Sequence, residues 1–336
     1  MRVSHQSLAD ALGLSQSTVS RALNGNKRIS GATREMVFNK AYEMGYFSDA
    51  ETALKKIAPQ VSKAKPNIGL IVEDICNPFF SDIISGVQDQ CMLKGYNLLL
   101  ANSNINYMIE KENIENFRQC GTRGLIIHSH LLQTVPESDA GWDIPRVFIC
   151  SPEKIGLEST VGIDTEKSSF TATEYLIQLG HRQIVFIGCF NRFLERLAGF
   201  KKAHARYGIS LREDNILCCA AATRMSGYTT ILNLLKNRRD FTAIVCVNDF
   251  IAFGVLEGIK KCNFRVPEDF SVIGHDNVEF SGYSGVELTT INQPAYEIGK
   301  NACELLIEKI DSRDKDTIVT LTLESSLVIR KSCYVV

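Results

Sequence analysis

The stretch LSQSTVSRALNGN, residues 14–26, predicts a short helix that follows Ser15 and ends at the sequence Asn-Gly-Asn. Ser15 is a good N-cap, because its side-chain oxygen can accept a hydrogen bond from a free backbone N–H one turn later. Asn and Gly tolerate the left-handed backbone in which many helices end. The apolar side of this helix comprises Thr18, Val19, Ala22 and Leu23, and the polar side comprises Gln16, Ser17, Ser20 and Arg21. A helix whose apolar side packs against the protein and whose polar side carries hydrogen-bonding groups can insert into the major groove of DNA. Many polar helix faces, however, are simply solvated.

Two neighbouring helices favour the DNA-binding interpretation. Residues 4–12 predict a helix capped by Ser4, and Gly13 supplies the tight turn that a helix-turn-helix often uses. Residues 30–44 predict a third helix that stops at Gly45. The expected apolar positions are Leu8, Ala11 and Leu12 in the first helix and Met36, Val37, Ala41 and Met44 in the third. Three short helices that share an apolar side form the smallest self-sufficient reader of a major groove.

The first 46 residues carry motifs of a known family. These motifs are Leu8-Ala9, Gly13-Leu14-Ser15, STVSRALNG at residues 17–25, Ser30-x-x-Thr33-Arg34 and Gly45-Tyr46. The pattern resembles the head of the LacI/GalR (lactose-repressor) family of transcription factors. The resemblance implies an all-α helix-turn-helix DNA-binding domain over residues 1–47 and a hinge or linker over residues 48–65. We expect base contacts from Gln16, Ser17 and Arg21, and phosphate contacts from Ser4, Ser15, Asn24, Thr33 and Tyr46.

The hinge segment departs from the pattern of that family. The resemblance implies a hinge helix that pairs in a dimer and inserts a leucine into the minor groove, which kinks the operator. In this chain Ser48 and Asp49 replace the usual proline and asparagine, and Ala53 replaces the usual arginine. Lys55 occupies the leucine position, and Leu54 precedes it by one residue. Three alternatives remain: Leu54 inserts in a shifted register, the hinge contact is weaker, or the segment is a plain linker.

Charge divides the chain into a basic start and an acidic remainder. The 336 residues carry a net charge of −1, but residues 1–65 contain ten Lys and Arg against five Asp and Glu. Their net charge of +5 leaves −6 for the rest, which places the phosphate-facing surface in the first 65 residues. No stretch is apolar enough to span a membrane, and the start MRVSHQ is not a secretory signal, so we expect a cytoplasmic protein. The eleven cysteines form no CxxC pair, which favours inert thiols over disulfides or zinc.

From residue 66 onward, short apolar runs alternate with helical periods. The runs are residues 68–72, 96–101, 124–127, 146–149, 184–187, 243–247 and 272–274, and the helical periods are residues 82–94, 107–119, 170–179, 196–206, 226–235, 251–261 and 296–310. This alternation indicates parallel sheets covered by helices on both faces. The number of units predicts two α/β subdomains. No GxGxxG and no GxxxxGK[ST] motif is present, so no nucleotide cofactor is expected.

This body also resembles the LacI/GalR family, in its periplasmic-binding-protein-like (type I) two-lobed domain. The motifs are NPFF at 77–80, LGHRQI at 179–184, RLAGF at 196–200, NDFIAFGVL at 248–256, SVIGHDN at 271–277 and LTTINQP at 288–294. The resemblance implies an effector-binding and dimerisation domain over residues 66–336. Its N-lobe would comprise residues 66–166 and 294–324, and its C-lobe residues 167–293 and 325–336.

Polar and aromatic residues just after the predicted strands are candidates for effector contact, because ligands of α/β sheets lie beyond the carboxyl ends of the strands. The candidates are Phe79, Phe80, Asp164, Arg192, Arg196, Asn248 and Asp276. Carboxylate, amide and guanidinium groups match the hydroxyls of a sugar or sugar derivative, and Phe rings offer a flat apolar face. Alternatively, Asp249 and Asp276 are helix caps and the two Phe are core residues. His275, Ala222 and the loop at Asn191 depart from the family pattern, so the sequence does not identify the effector.

Catalysis and metal binding have little support in the sequence. His128 and His130 lie on one face of a predicted strand, but no Cys, Asp or Glu stands at ligand spacing nearby. No nucleophile–base arrangement or pair of carboxylates stands out, so we expect neither an enzyme nor a bound cofactor or metal. The rival functions are a solute-binding protein without DNA binding and a small-molecule enzyme on an α/β sheet.

The sequence therefore predicts an allosteric transcription regulator, most simply a repressor. Its partners would be a palindromic double-stranded operator, a small sugar-like effector and a second copy of the chain, with a tetramer left open. A single head makes too few contacts for tight specific binding, so dimerisation is physically required. The sequence does not reveal whether the effector releases the operator or is needed to hold it.

Overall fold

The computed structural model describes residues 3–24, 26, 29–46, 65–129, 144–150, 158–189, 193–283, 285, 287–312 and 317–336. The chain divides into two compact units, Met1–Lys65 and Pro66–Val336, which we call the head and the receptor. Four sequence-based expectations lie outside the described residues. They concern the hinge contacts of Leu54 and Lys55, the effector contact of Arg192, and His130.

Among its described residues, the head contains three helices, each preceded by a serine that caps it. They are α1 (His5–Leu12), α2 (Gln16–Leu23) and α3 (Gly31–Glu43). Ser4, Ser15 and Ser30 each accept a hydrogen bond from the backbone N–H three residues later, which satisfies one of the free donors of a helix start. Gly13 ends α1 in the left-handed conformation at φ +64°, which permits the sharp turn into α2. The expected three-helix head is confirmed.

The small core of the head differs from the expected one at two positions. Its buried residues are Leu8, Ala9, Val19, Ala22, Leu23, Val37 and Ala41. Ala11 is exposed, because the inner side of α1 runs through Leu8 and Ala9 and residue 11 is turned away from it. Met36 is 45% exposed, since it lies one residue before the Val37–Ala41 row that faces the core. The expectations for Ala11 and Met36 were therefore wrong.

The receptor contains two six-stranded sheets. The first has the strand order β11-β5-β4-β3-β1-β2, with all neighbours parallel. Its strands are β1 (Asn67–Val72), β2 (Asn97–Asn102), β3 (Thr122–Ile127), β4 (Arg146–Ile149), β5 (Ser159–Ile163) and β11 (Thr320–Leu323). Its central strands are buried along almost their whole length, which explains their continuous apolar runs.

The second sheet has the strand order β12-β10-β9-β8-β6-β7. Its strands are β6 (Ile184–Gly188), β7 (Ile216–Cys218), β8 (Ala243–Cys246), β9 (Ser271–Asp276), β10 (Thr289–Asn292) and β12 (Ser326–Val328). All neighbours are parallel except β12, which runs antiparallel to β10. The expected two-lobed α/β fold with parallel sheets is confirmed.

Helices cover both sheets, and the chain passes between the sheets three times. The helices are α4 (Pro78–Lys94), α5 (Tyr107–Gln119), α6 (Thr165–Gln178), α7 (Leu194–Arg206), α8 (Arg224–Asn237), α9 (Asp249–Lys261) and α10 (Ala295–Asp311). The passages follow β5, β10 and β11, because the next strand or helix packs on the other sheet. Each lobe is therefore assembled from separate pieces of the chain.

Sequence patterns placed the long helices well but missed short strands. Helix α5 has the expected bounds, whereas α4 and α6 start four or more residues before the expected 82 and 170. Their first turns carry Pro, Ser and Thr, which hide the apolar period. Five strands were not expected, namely β5, β7, β10, β11 and β12, each with five residues or fewer.

Helices α4 and α10 pack unusually closely through two glycines. A Cβ on Gly86 would lie 2.1 Å from the carbonyl oxygen of Tyr296, and a Cβ on Gly299 would lie 2.1 Å from that of Ile83. Only glycine fits at such contacts, so these two positions fix how α4 and α10 cross. Phe79 and Phe80 lie in the first turn of α4, and Gln293 lies two residues before α10. The close crossing of α4 and α10 therefore helps to position Phe79, Phe80 and Gln293 relative to one another.

Candidate effector site and nucleic-acid interface

A cleft in the receptor lies at the carboxyl ends of strands from both sheets, as expected for a ligand site in parallel sheets. It encloses about 830 Å³ of space, part of it open to solvent. Residues from both lobes line it, including the aromatic pair Phe79 and Phe80 and the polar residues Arg196, Asn248, Asp276 and Gln293. The sequence-based candidates Phe79, Phe80, Arg196, Asn248 and Asp276 are thus brought together.

Asp276 is the last residue of β9 and has a strained backbone, with φ +114°. Its Oδ1 atom accepts a hydrogen bond of 2.6 Å from Gln293 Nε2 and lies 3.1 Å from His275 Nδ1. It also lies 3.7 Å from Arg196 Nη2. Burial raises the pKa of Asp276 to about 6, while Arg196 and the hydrogen bond from Gln293 oppose the rise. Strain and a shifted pKa at one buried carboxyl are typical of a functional position.

Arg196 lies in the first turn of α7 and is 8% exposed. Its Nη1 donates to the backbone carbonyl of Val247, and its guanidinium lies 5.0 Å from the centre of the Phe193 ring. Burial lowers its pKa, and the nearby Asp276 opposes that shift. Its Nε has no hydrogen-bond partner among the described residues. A buried donor without a partner is costly, so this atom is suited to bind a ligand acceptor.

Asn248 serves first as a cap. Its Oδ1 accepts a hydrogen bond of 2.9 Å from the backbone N–H of Ile251 at the start of α9, and its Nδ2 lies 3.3 Å from the carbonyl oxygen of Ala222. Asn248 nevertheless lines the cleft and is 4% exposed. Part of its hydrogen-bonding capacity is thus used by the fold, which leaves it less free for a ligand than its sequence position indicated.

Asp249, the neighbour of Asn248, stabilises the fold without lining the cleft. Its carboxylate accepts hydrogen bonds from the N–H of Val278, the hydroxyl of Ser281 and the hydroxyl of Thr290. Burial raises its pKa to about 7, and these three donors oppose the rise. It joins α9 to the segment after β9 and to β10. Of the two Asp considered as caps in the sequence, neither is an N-cap: Asp249 is the first residue of α9, and Asp276 ends a strand.

The aromatic pair lies on the N-lobe wall of the cleft. Phe79 and Phe80 are 6% and 4% exposed, and their rings meet edge to face at 5.4 Å. The Phe80 ring also meets the His128 ring edge to face at 4.8 Å. Both Phe belong to the buried core of the first lobe as well as to the cleft lining, so the two alternatives from the sequence are compatible.

The head presents polar side chains on the outer side of α2. Gln16, Ser17 and Arg21 are exposed, whereas Val19, Ala22 and Leu23 are buried. Ser15 Oγ lies 2.9 Å from Ser17 Oγ, which restrains the hydroxyl at the start of the helix. Exposed hydrogen-bonding groups on a helix of this size match base edges in a major groove.

The residues expected at phosphates lie around the helix starts. Ser4, Ser15 and Asn24 are exposed, and Thr33 is half-buried in the first turn of α3. The hydroxyl of Tyr46 lies 2.8 Å from Nε2 of His5, which joins the segment after α3 to α1.

Comparison with known proteins identifies both units. Residues 6–49 match the model of bacterial regulatory proteins of the lacI family, and residues 173–333 match a periplasmic binding protein-like domain. The HTH-type transcriptional repressor PurR of Vibrio parahaemolyticus is 31% identical over 97% of this chain and 97% of its own. The chain belongs to the LacI family. It is therefore a DNA-binding transcription regulator with an effector-binding domain, as the sequence motifs implied.

Solved structures of LacI-family regulators are similar to this chain. A regulator from Enterococcus faecium with bound ribose is 27% identical with a TM-score of 0.71, covering 80% of this chain and 98% of its own. The transcriptional regulator CelR in complex with cellobiose is 25% identical with a TM-score of 0.70, covering 98% of this chain and 100% of its own.

One described candidate of this LacI-family chain, Asp164, is not brought into the cleft. Asp164 caps α6 by accepting a hydrogen bond of 2.7 Å from the N–H of Lys167, and it is exposed and does not line the cleft. Its neighbour Thr165 lines the cleft instead. Arg192 lies outside the described residues.

Several cleft residues were missed by reading the sequence. Gln293 belongs to a family motif quoted above, but its side chain was not among the candidates, because its contact with Asp276 joins segments 17 residues apart. Glu73 and Asp74 directly follow β1, and their position at a strand end was the signal that could have identified them. Glu195 precedes the candidate Arg196 and had no signal of its own.

Metal clusters and membrane spans are both absent from the part of the chain that the structure describes. There, no group of three or more His, Cys, Asp or Glu is placed to hold a metal ion. No helix among these same residues combines the length and the apolar character needed to cross a membrane.

Proposed function

We propose that this chain represses transcription by binding a palindromic operator as a homodimer, and that a sugar-like effector in the receptor cleft controls this binding. The observation that carries the proposal is the cleft itself. Arg196 Nε and Gln293 Oε1 are buried there without hydrogen-bond partners among the described residues. Buried polar atoms of this kind are satisfied by a ligand that offers both donors and acceptors, and hydroxyl groups do so.

Two further observations support a sugar-like effector. The cleft combines a carboxylate, a guanidinium and an amide with the flat rings of Phe79 and Phe80, which match the hydroxyls and the C–H face of a sugar. The similar regulators whose structures contain ribose and cellobiose bind ligands of this class. The name of the PurR relative supports repression as the outcome of operator binding.

Exposed apolar side chains support dimerisation through the receptor. In the first lobe they lie on three consecutive elements, the end of α4, the edge strand β2 and the start of α5. They are Met92, Leu93, Leu100 and Met108, between 44% and 75% exposed. A second set in the other lobe comprises Met225, Phe280 and Tyr283, between 57% and 76% exposed. A second copy of the chain packed against these elements would remove their apolar side chains from water.

The mechanism that we propose uses the passages between the lobes. Gln293, which binds Asp276, lies at the passage from β10 to α10. An effector bound to Asp276 would change the contacts of this passage and hence the preferred angle between the lobes. In a dimer, that angle would alter the spacing of the two hinges and the affinity for both half-sites of the operator. We retain residues 1–47 as the DNA-binding domain, residues 48–65 as the hinge and residues 66–336 as the receptor, so the head comprises the first two.

The decisive experiment selects duplexes from a random pool with the purified full-length chain and then measures binding by fluorescence anisotropy. We expect an inverted repeat, two chains per duplex, and an affinity that falls steeply with salt because basic side chains displace counterions. Failure to bind any selected duplex at low ionic strength would contradict the proposal.

The match of residues 6–49 to the lacI-family model counts against the alternative from the sequence, a solute-binding protein without DNA binding. The basic head, with its exposed Gln16, Ser17 and Arg21, favours the regulator. The same anisotropy measurement separates the two, since a solute-binding protein would bind the ligand and ignore the duplex. We further propose a cytoplasmic location, where operator DNA is found, and no catalytic activity.

A further inference from the structure

A buried imidazole behind the cleft contacts residues at two of the passages between the lobes. His275 lies next to the end of β9, is 2% exposed and does not line the cleft. Its Nε2 lies 2.9 Å from Oγ of Ser168, in the first turn of α6, which follows the passage from β5. Its Nδ1 lies 3.1 Å from Asp276 Oδ1 and 3.3 Å from Nε2 of Gln293, at the passage from β10 to α10. The ring therefore joins the cleft carboxylate to the start of α6.

His275 is one of the positions at which this chain departs from the family pattern. A phenyl ring there would fill similar space but could form neither hydrogen bond, whereas an imidazole has two ring nitrogens that can each bond a partner. Burial and the nearby Arg196 hold the pKa of His275 well below its ordinary value, so the ring is neutral at about pH 7. A neutral imidazole has one N–H and one acceptor nitrogen. Only one of its two nitrogens can therefore donate a hydrogen bond.

The contacts of the ring favour the proton on Nδ1. There it donates to Asp276, and a hydrogen bond to an ionised carboxylate is roughly twice as strong as one between neutral groups. Nε2 is then the acceptor, so the hydroxyl of Ser168 donates to it. A proton on Nε2 would instead leave the lone pair of Nδ1 facing Asp276 Oδ1 at 3.1 Å, and the hydroxyl of Ser168 would donate to the carbonyl oxygen of Thr165 at 2.9 Å. The two arrangements differ in the position of one proton.

We propose that His275 is a positioning residue of the allosteric response and that it couples Asp276 to α6. Its Nδ1–H donates to Asp276 and its Nε2 accepts from Ser168, while Gln293 connects Asp276 to α10 directly. A ligand that takes over Oδ1 of Asp276 weakens the hydrogen bond from His275, and the loosened ring holds Ser168 less firmly. Both passages then respond to the same carboxylate. This inference rests on the proposed function, because the effector is what changes the contacts of Asp276.

A competing connection from Asp276 to α6 runs through Arg196. The carbonyl oxygen of Arg196 accepts a hydrogen bond of 2.6 Å from Oγ of Ser169, the neighbour of Ser168. The distance of 3.7 Å between Arg196 Nη2 and Asp276 Oδ1 is too long for a hydrogen bond, which favours the connection through His275. Ser168 and Ser169 are both buried, at 1% and 3% exposure. Because one contacts His275 and the other Arg196, the two serines form a matched pair that separates the two connections.

The test measures amide hydrogen exchange by mass spectrometry in the full-length chain, without ligand or DNA. Asp276→Asn is the change applied, because it keeps the shape while a neutral acceptor weakens the hydrogen bonds that the carboxylate accepts. In the parent chain we expect this change to speed exchange in residues 165–172 of α6 by about threefold or more. Residues 293–298 should respond as well, because Gln293 contacts Asp276 directly. No response of α6 in the parent chain overturns the inference.

Three variants assign the response of α6 to one of the two connections. His275→Phe removes both ring nitrogens and Ser168→Ala removes the hydroxyl, so in either variant the effect of Asp276→Asn on α6 should fall below about 1.5-fold. Ser169→Ala is the matched control and should preserve the response. A purely structural role of His275 would change exchange in α6 but not its dependence on residue 276. A response that survives Ser168→Ala, or that Ser169→Ala abolishes, assigns the coupling to Arg196 and overturns the inference.

Histidine ¹⁵N NMR of the parent chain tests the position of the proton independently. We expect the ring of His275 to be neutral at about pH 7, with its proton on Nδ1. Its resonances are identified by their loss in His275→Phe or by their change in Ser168→Ala. A proton on Nε2, or on both nitrogens, overturns the inference.

Operator binding by the same preparations separates this inference from the proposed function. The exchange and NMR measurements need neither effector nor DNA. If the chain binds no duplex, the regulatory function fails, and any coupling between Asp276 and α6 still stands as measured. If the chain binds its operator but α6 does not respond to Asp276→Asn, only the role of His275 is wrong. Ser168→Ala keeps the test decisive if His275→Phe does not fold.

Discussion

Gln293 Nε2 donates a 2.6 Å hydrogen bond to Asp276 Oδ1. The carboxylate of Asp276, a residue whose backbone is strained, is therefore bound directly to a segment that connects the two lobes. Both residues are buried and both line the cleft. A ligand that competes for Asp276 cannot bind without altering this contact. Ligand binding and lobe geometry are thus joined through this side-chain pair.

Asp276→Asn should abolish the effector response. The substitution keeps the shape but removes the charge that the ligand hydroxyls and Arg196 meet. Truncating one partner of a buried charged contact costs about 2–5 kcal/mol, so affinity should fall by about 30-fold or more. Calorimetry measures the loss, and operator binding without effector should be unchanged. Glu268→Gln, an exposed acid in the same lobe, is the control. An unchanged response would remove Asp276 from the site.

Effector affinity should depend on pH through Asp276. Because its pKa is raised to about 6, the carboxylate becomes protonated as the pH falls through 6, and binding should weaken there. The hydrogen bond from Gln293 lowers this pKa, so Gln293→Leu should move the midpoint to higher pH. Effector affinities measured between about pH 5 and about pH 8 give the midpoint pH of this weakening for the parent chain and for Gln293→Leu. A midpoint that stays in place would show that Gln293 does not tune Asp276.

Glu110→Gln should stabilise the receptor at neutral and alkaline pH. Glu110 lies in the first turn of α5, is 1% exposed, and has a pKa raised to about 7, chiefly by burial. The folded state keeps a proton that the unfolded chain releases above about pH 4.3, so stability falls as the pH rises from there to about 7 and is then level.

The variant lacks this loss of stability, which amounts to about 4 kcal/mol over the whole pH range at 1.36 kcal/mol per pKa unit. Urea unfolding at about pH 5 and about pH 8 measures the difference. The exposed variant Glu112→Gln should retain the slope of the parent chain. The prediction fails if Glu110→Gln retains that slope as well.

Gly299→Ala should destabilise the receptor, because its new methyl group would lie 2.1 Å from the backbone carbonyl of Ile83. Forcing α4 and α10 apart should cost about 1–3 kcal/mol, as other overpacked cores do. Gly282→Ala is the matched control, since no atom lies within 4 Å of the added Cβ and the backbone has no positive φ there. Thermal unfolding of both variants checks the prediction, and equal midpoints would contradict it.

Gln16→Ala and Arg21→Ala should weaken operator binding without unfolding the head. Both side chains are exposed on α2, and removing either one from a base edge should cost about 1–3 kcal/mol of binding free energy. Asn39→Ala, exposed on α3, changes a similar side chain outside the predicted contact surface. Anisotropy measured with the selected operator and with scrambled DNA distinguishes base contacts from phosphate contacts. A loss that is equal for both duplexes would assign these residues to phosphates instead of bases.

The sequence predicted what depends on near neighbours in the chain. The caps at Ser4, Ser15 and Ser30 and the bounds of α5 follow from local hydrogen bonding and helical period. The short strands β7, β11 and β12 could not be predicted in this way, because three or four residues are too few to show a strand pattern.

The cleft illustrates the same limit. Asp276 and Arg196 could be chosen by residue type and by their places in family motifs. The partner of Asp276, Gln293, could not, because their contact depends on how β9 and the passage to α10 meet. Asn248 shows the converse problem, since a polar residue after a strand serves equally well as a helix cap and as a ligand contact.

The placement of β11 at residues 320–323 has a consequence for biosynthesis. The first sheet cannot acquire its edge next to β5 until residue 323 has left the ribosome, whereas α1, α2 and α3 of the head are complete by residue 43. Local helices form early and long-range strand pairing forms late. A nascent molecule would therefore possess its DNA-reading helices well before the receptor that pairs two of them, so a translation product truncated before β11 would carry a single head that binds an operator only weakly.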